Sequence, residues 1–178
     1  MFFNSNSQYG LITKILHWLL CILIIVQATG GLLFDEMSKA LRSTIMPYHK
    51  SLGLLILLIV VLMILLRLFT PKPAWPVSMP KWERFAAKAG HAVLYLCLLI
   101  MPLSGWLMST AAGWPPYFFG LGPIPMPGIP LDKALAGIAS NVHSVVIWVL
   151  IVIAAIHIIA ALRHHFFEKD NVLKNMWF

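Results

Sequence analysis

The sequence VHSVVIWVLIVIAAIHIIAAL, residues 142–162, decides the fold of this 178-residue chain. As a helix it is long enough to cross the roughly 30 Å hydrocarbon core of a bilayer. Its two histidines, His143 and His157, stand fourteen residues apart. That interval turns a helix through about 1400°, within about 40° of four full turns, so both imidazoles leave one face about 21 Å apart. Buried polar groups need partners, so two imidazoles placed in this way suggest two metal centres at different depths of a membrane.

The rest of the chain is equally apolar. Hydrophobic residues make up 60% of it, charged residues only 11%, and the mean hydropathy is +0.86, which is too apolar for a soluble domain of this size. Three further stretches, 12–34, 51–69 and 91–108, are long enough to span a bilayer. Alternating ten-residue segments of the barrel type are absent from the sequence. The composition therefore predicts an all-α fold, an integral membrane four-helix bundle surrounded by lipid, with residues 1–178 forming one domain.

The net charge of +7 does not indicate a nucleic-acid partner, because in a membrane protein the positions of Lys and Arg matter more than their sum. Nine of the thirteen cationic residues fall at the termini and in the second loop, and four fall in or beside the first and third loops. The first group is Lys14, Arg67, Lys72, Lys81, Arg84, Lys88, Arg163, Lys169 and Lys174, and the second is Lys39, Arg42, Lys50 and Lys133. The positive-inside rule then predicts a multi-pass protein of the bacterial inner membrane with both termini cytoplasmic.

Two connecting segments carry their own predictions. Residues 81–88 form a basic, helix-capable stretch after a proline-rich break, and we expect them to lie in the cytoplasmic interface with Trp82 and Phe85 as anchors. The third loop, residues 109–140, is rich in aromatic residues, Pro and Gly. We expect it to rest as a cap on the outer membrane surface, with residues 131–140 forming a short helix that leads into the fourth span.

Depth in the membrane limits how the seven histidines can pair. His143 can meet only His49, since both open a span at the outer side. His157 can meet His17 or, less simply, His91. The result is one bis-histidine pair near each membrane face, and a four-helix bundle can hold a flat macrocycle with one axial ligand from each of two facing helices. Gly30, Gly31 and Gly53 lie near the predicted ligands and would give such a macrocycle room.

Two alternatives stay open at this level. Each intramembrane histidine could instead be a hydrogen-bonded helix contact, which is the common role for a single one. Zinc transport is the second alternative, although membrane zinc sites usually add carboxylates and none of the six acidic residues lies in a predicted span.

Several motifs resemble those of the bacterial cytochrome b561 family. They are His17-Trp18 in the first span, Tyr48-His49 with Gly53 in the second, HAVLYLCLLIMPLSGWLMS from residue 91, and HSVVIWVLIVIAAIHIIAALRHHFFEKDNVLKNM from residue 143. The similarity covers nearly the whole chain. It implies a membrane cytochrome with two haem b groups, whose iron ligands are His49 with His143 at the outer site and His17 with His157 at the inner site.

The resemblance also implies a function. Short members of the family include superoxide oxidase, which takes an electron from superoxide at the periplasmic side and delivers it to ubiquinone, and this chain has that length. Four cations in or beside the outer loops, Lys39, Arg42, Lys50 and Lys133, could steer the superoxide anion, although Asp35, Glu36 and Asp132 dilute their field.

Quinone reduction needs a protonatable or hydrogen-bonding group near a haem edge, and His91 and Lys14 are the candidates, each with a haem propionate as the other possible partner. The alternative function is a membrane haem subunit that relays electrons between quinone and a protein partner, such as a hydrogenase-like or dehydrogenase-like subunit or a soluble cytochrome.

Overall fold

The computed structural model describes residues 1–178 and contains four long helices. They are α1 Leu11–Leu32, α2 Lys39–Phe69, α3 Lys81–Ala111 and α4 Lys133–Arg163. A 3-10 turn, Phe34–Glu36, joins α1 to α2, and a π-helical turn, His164–Glu168, and a second 3-10 turn, Lys174–Met176, follow α4. Each long helix has the length and composition to cross a membrane. The prediction of an all-α protein with four candidate spans is confirmed.

Three of the helices begin earlier than the apolar stretches indicate. Residues 81–88 are the first two turns of α3, and Trp82 and Phe85 are exposed as anchors would be. Their position in the cytoplasmic interface stays a prediction. Residues 133–140 are likewise continuous with α4. The early starts of α2 and α4 have local causes. The Ser38 hydroxyl accepts a hydrogen bond from the Leu41 amide, and the Asp132 carboxylate accepts bonds from the amides of Ala134 and Leu135 at 2.8 and 3.0 Å.

The helices pack in sequence order around the bundle. Close backbone packing joins α1 to α2, α2 to α3 and, most extensively, α3 to α4, whereas α4 makes little close contact with α1 or α2. The middle of the bundle is filled by a buried apolar cluster, which we call the central core. Its members are Leu20, Ile56, Ile59, Val60, Met63, Cys97, Leu98 and Leu150. Above and below this layer, α4 stands apart from α1 and α2.

Both chain termini lie at one end of the bundle, which we call the terminal end. The Lys14 ammonium donates to the Trp177 carbonyl at 2.6 Å, and the Trp18 indole N–H donates to the Met176 carbonyl at 2.9 Å. The rings of Trp18 and Trp177 also meet edge to face. The final residues of the sequence therefore fold back against α1.

The opposite end, which we call the loop end, is covered by the segment between α3 and α4. The Lys50 ammonium donates to the Trp114 carbonyl at 2.7 Å, and the Trp106 indole N–H donates to the Ile124 carbonyl at 2.8 Å. Ser51 on α2 also bonds this segment, because its hydroxyl accepts from the Phe119 amide at 3.2 Å. This segment therefore covers the loop end of the bundle, and its contact with the outer membrane surface stays a prediction.

Candidate functional site

At the loop end, the first pair of histidines faces across the gap between α2 and α4. The ring centroids of His49 and His143 are 6.5 Å apart and their planes are inclined at 69°. Phe34, in the turn after α1, packs edge to face on the His49 ring at 5.0 Å, and the Gln27 amide donates to the His49 backbone carbonyl at 2.8 Å. The His49 side chain is thus fixed by packing, and its backbone by a hydrogen bond.

The imidazole of His143 is held by hydrogen bonds that it donates to α3. Its Nδ1 lies 2.9 Å from the Met101 carbonyl oxygen and 3.1 Å from the Ser104 hydroxyl oxygen. Since a carbonyl can only accept, Nδ1 carries the ring proton, and the Ser104 hydroxyl, which donates to the same carbonyl at 2.9 Å, is the second acceptor. This fixes the tautomer and leaves Nε2 with a free lone pair, the state that a metal ligand requires.

A cavity of about 360 Å³ surrounds this loop-end pair and is lined mostly by apolar side chains. Glycines on three helices face it: Gly31, Gly53 and Gly105. A Cβ on Gly105 would stand 3.1 Å from the His143 ring, and one on Gly31 would stand 3.5 Å from the His49 ring. The predicted roles of Gly31 and Gly53 in leaving room are therefore supported, whereas Gly30 is not among the residues that line the cavity.

At the terminal end, the second pair faces across the gap between α1 and α4. The ring centroids of His17 and His157 are 6.4 Å apart, with planes inclined at 60°. Trp18 packs edge to face on His17 at 5.3 Å. The Cys21 thiol approaches both nitrogens of His17, at 3.9 Å from Nδ1 and 4.0 Å from Nε2, so it is a weak partner and favours neither.

The two candidate quinone-binding residues occupy different places at the terminal end. The His91 ring lies 5.2 Å from that of His157, and its Nδ1 donates to the Ala87 carbonyl at 2.6 Å. The Lys14 ammonium is committed to the Trp177 carbonyl. One turn beyond His91 on α3, Tyr95 receives the Arg67 guanidinium over its ring at 5.5 Å. His91 therefore lies beside the terminal-end histidine pair, whereas Lys14 is hydrogen-bonded to the C-terminal segment.

The separations within the two pairs allow a test of whether an axially ligated metal fits. An imidazole nitrogen bound at about 2 Å would put the ring centroid roughly 3.2 Å from the metal, so two imidazoles on opposite sides of it would have centroids about 6.4 Å apart. The observed 6.5 and 6.4 Å fit this arrangement at both ends. His91 and His157, at 5.2 Å, are too close to share a metal in that way. Of the two candidate partners of His157, only His17 therefore lies at the separation that such an arrangement needs.

The four loop-end cations do not form one free positive rim. Arg42 is bonded to the Asp35 carboxylate at 2.6 Å and to the Phe34 carbonyl, and Lys50 is half-buried at the Trp114 carbonyl. Lys50 and Asp35 both line the loop-end cavity. Lys39 and Lys133, each the first residue of its helix, are exposed.

Sequence patterns alone missed four residues of these sites: Gln27, Arg67, Ser104 and Gly105. Ser104 and Gly105 stand on the face of α3 that meets His143, and only the helix packing shows which face that is. A signal was present in the SGW triplet of the quoted α3 motif, where two small residues in succession interrupt a long run of large ones.

The amino-acid sequence is similar to those of known proteins. A profile of the prokaryotic cytochrome b561 family matches residues 8–178. Cytochrome b561 homolog 2 of Escherichia coli strain K12 is 34% identical over 177 residues, which cover 98% of this chain and 94% of that protein. The probable superoxide oxidase CybB of Yersinia pestis is 27% identical over 171 residues, 96% of each chain. Cytochrome b561 homolog 1 of Escherichia coli strain K12 is 23% identical over 165 residues, 90% of this chain and 92% of that protein.

The family match and the four apolar helices agree with one another. A cytochrome of this family is a membrane protein that binds haem b, and the paired imidazoles fit such a group. The chain therefore belongs to the prokaryotic cytochrome b561 family.

Proposed function

We propose that this protein is a dihaem cytochrome that carries electrons between its two ends. In this proposal His49 and His143 are the axial ligands of one haem b, and His17 and His157 are the ligands of the other. The observation that carries the proposal is that both histidine pairs have nearly the same centroid separation, 6.5 and 6.4 Å. Helix α4 contributes one histidine to each pair, and these two histidines are about 21 Å apart along its axis.

The chemistry at such sites is restricted to electron transfer. Haem supplies a one-electron carrier when bound, and two imidazole ligands leave its iron no open position for oxygen. The chain contributes the spacing, the orientation of the rings and the exclusion of water. The central core separates the two pairs with apolar side chains, Leu150 lying midway between His143 and His157 on α4.

For the electron donor we propose superoxide at the loop end, which is the periplasmic end in our proposed orientation. Support comes from the family relationship to a probable superoxide oxidase and from Lys50, which follows His49 directly and lines the loop-end cavity. A cation at that position attracts an anion to the site where its electron is needed. Lys39, Arg42 and Lys133 lie in or beside the same end and act at longer range, with the field of Arg42 offset by Asp35.

For the acceptor we propose ubiquinone at the terminal end. Two superoxide anions each lose one electron and leave as O₂, and one ubiquinone takes up the two electrons and two protons to become ubiquinol. His91 is the leading candidate to hydrogen-bond the quinone, because it stands beside His157 and its Nδ1 is already bonded, which leaves Nε2 to accept. Lys14 is the second candidate, and its contact with Trp177 would have to open.

Stopped-flow spectroscopy of the haem-loaded protein tests this function. Superoxide generated beside the oxidised protein in detergent should raise the reduced alpha band at a rate proportional to superoxide concentration, and added ubiquinone should reoxidise it. Superoxide dismutase in the mixture is the control and should abolish the reduction. A loaded protein that stays oxidised in superoxide would overturn the proposed donor.

A second function, relay to a redox protein, is favoured by the exposed side chains of the loop-end cap. Leu121 is 85% exposed, Trp114 is 75% exposed, and Tyr117 and Phe119 are also largely uncovered. Exposed apolar groups of this kind mark docking or membrane-contact surfaces. Copurification of a soluble redox subunit that reduces the protein in the absence of superoxide would favour this function over the first.

A further inference from the structure

The two histidine pairs differ in how their imidazoles are hydrogen-bonded. In the loop-end pair, the Nδ1 proton of His143 is shared between the Met101 carbonyl at 2.9 Å and the Ser104 hydroxyl at 3.1 Å. In the terminal-end pair, His17 has only the distant Cys21 thiol, and the His157 ring makes aromatic contacts with His17 and His91 but no hydrogen bond. The loop-end pair therefore contains an imidazole with strong hydrogen bonds, and the terminal-end pair does not.

This difference in hydrogen bonding would change the reduction potential of a metal bound at each site. A hydrogen bond from the far nitrogen of a ligating imidazole to a carbonyl makes the imidazole a stronger donor and raises its basicity. A stronger donor stabilises the oxidised iron more than the reduced iron, which lowers the reduction potential. The Ser104 hydroxyl adds to this effect, because its own proton goes to the Met101 carbonyl and its oxygen becomes a better acceptor.

Nearby charges do not reverse the order at the loop end. Lys50 and Asp35 both line the loop-end cavity, but Asp35 is also bonded to Arg42, so these three groups leave one net positive charge beside the loop-end site. At the terminal end the cation Arg67 stands over Tyr95, one turn from His91, and a positive charge favours the reduced state. The charges named here therefore do not separate the two sites, and the hydrogen bonds favour a lower potential at the loop end.

We propose that Ser104 and the Met101 carbonyl, acting through His143, give the loop-end site the lower midpoint potential and so set the direction of electron transfer toward the terminal end. Ser104 is a positioning residue in this proposal, because it touches the ligand and not the metal. The inference rests on the proposed dihaem function and deepens it, since the spacing of the two pairs alone leaves the direction of flow open.

The first test assigns the potentials. A spectroelectrochemical titration of the loaded protein should resolve two midpoint potentials, and the His143→Ala variant should retain only the higher one. The reciprocal His17→Ala variant should retain only the lower one. Retention of the lower potential in His143→Ala would overturn the inference, whereas failure of the wild type to bind two haems would overturn the proposed function instead.

The second test isolates Ser104. Ser104→Ala should raise the lower midpoint potential by up to about 59 mV, which corresponds to a tenfold change in the reduced-to-oxidised ratio for one electron. The higher midpoint potential should not change. Ser104→Thr keeps the hydroxyl and should restore the original value. The matched control is Ser144→Ala, which removes a hydroxyl from the same cavity, next to His143 in sequence, without a bond to its ring. A shift in Ser104→Ala no larger than that in Ser144→Ala would contradict the role of Ser104.

A measurement on the haem-free protein checks the tautomer independently. Nitrogen chemical shifts of ¹⁵N-labelled histidine should show His143 protonated at Nδ1 and unprotonated at Nε2. The opposite tautomer would remove the basis of the proposal whatever the potentials are.

Discussion

At the scale of single residues, the proposed function assigns the chemistry to four imidazoles, and their neighbours fix the positions of these rings. His49 packs against Phe34, and His143 is hydrogen-bonded to α3. His17 packs against Trp18. The glycines matter for what they lack, because a methyl group on Gly105 would press on the His143 ring. In the proposed function, each pair would be a site whose imidazoles are already oriented before a metal binds.

Removal of one ligand should empty one site and spare the other. The His143→Ala variant should lower the haem content from about two to about one per chain, because its loop-end partner His49 is left alone while His17 and His157 are untouched. Pyridine haemochrome analysis measures the ratio, and His17→Ala is the matched variant at the terminal end. Complete loss of haem in both variants would contradict two independent sites.

Lys50 is expected to be the cation that matters most for the encounter with superoxide. Lys50→Gln should lower the second-order rate constant of reduction by about two- to tenfold and weaken its dependence on ionic strength. Glutamine is the suitable replacement because its amide can still donate to the Trp114 carbonyl.

Lys81→Gln, at the start of α3 on the opposite end, is the control and should leave the rate unchanged. An equal effect of the two substitutions would mean that total charge, and not a local field, governs the rate.

At the scale of elements, a partly buried polar cluster joins the start of α3 to the end of α4. The His164 imidazole bonds the Asp170 carboxylate at 2.6 Å, and both side chains are nearly buried, at 7% and 12% exposed. Arg163 bonds Glu83 at the start of α3 and also Glu168 at 2.6 Å. The cluster folds the chain after α4 back toward the bundle, and Lys169, at φ 54°, makes the left-handed turn that this reversal requires.

Asp170→Asn should destabilise the protein measurably, because it removes a charged acceptor from a buried imidazole. A loss of about 1–3 kcal/mol is expected, seen as a lower thermal midpoint in detergent. Glu168→Gln changes a carboxylate that is 40% exposed and should cost less than about 1 kcal/mol. Equal effects of the two substitutions would show that the buried contact has no special weight.

The sequence predicted the existence and order of the helices, while packing decided their ends and the faces they present. Hydropathy located all four spans, but it could not see that α2 begins at Lys39, since Pro47 lies in the added segment and proline usually interrupts a helix. Depth paired His49 with His143 but left His157 two partners, and only the ring separations favoured His17. The contacts of Ser104 with His143 and of Lys14 with the tail join residues far apart in sequence, so local patterns could not identify these partners, although the SGW triplet marked the position of Ser104.

At the scale of the whole molecule, charge divides the two ends of the bundle. The terminal end carries nine of the thirteen cations and the loop end carries four, while the termini share one end by direct contact. Under the positive-inside rule, this asymmetry predicts that the terminal end lies in the cytoplasm. The proposed direction of electron transfer is then inward.

Cysteine labelling should show that orientation directly. With Cys21 and Cys97 replaced, a single cysteine at Leu121→Cys should react with a membrane-impermeant maleimide in intact spheroplasts. A cysteine at Ser7→Cys should react only after lysis, because Ser7 is exposed at the other end. Labelling of Ser7→Cys in intact spheroplasts would reverse the assignment of the two ends.

The central core also has an electrical consequence. An electron that passes between the histidine pairs moves about 21 Å through a hydrocarbon layer roughly 30 Å thick, and the apolar cluster around Leu150 offers protons no chain of titratable groups to follow it. Each electron therefore displaces roughly two-thirds of a unit charge across the membrane, which at 100 mV corresponds to about 1.5 kcal/mol. Electrons that travel toward a negative cytoplasm work against this voltage, so turnover should be slowest in a fully energised membrane and fastest when the membrane potential has collapsed.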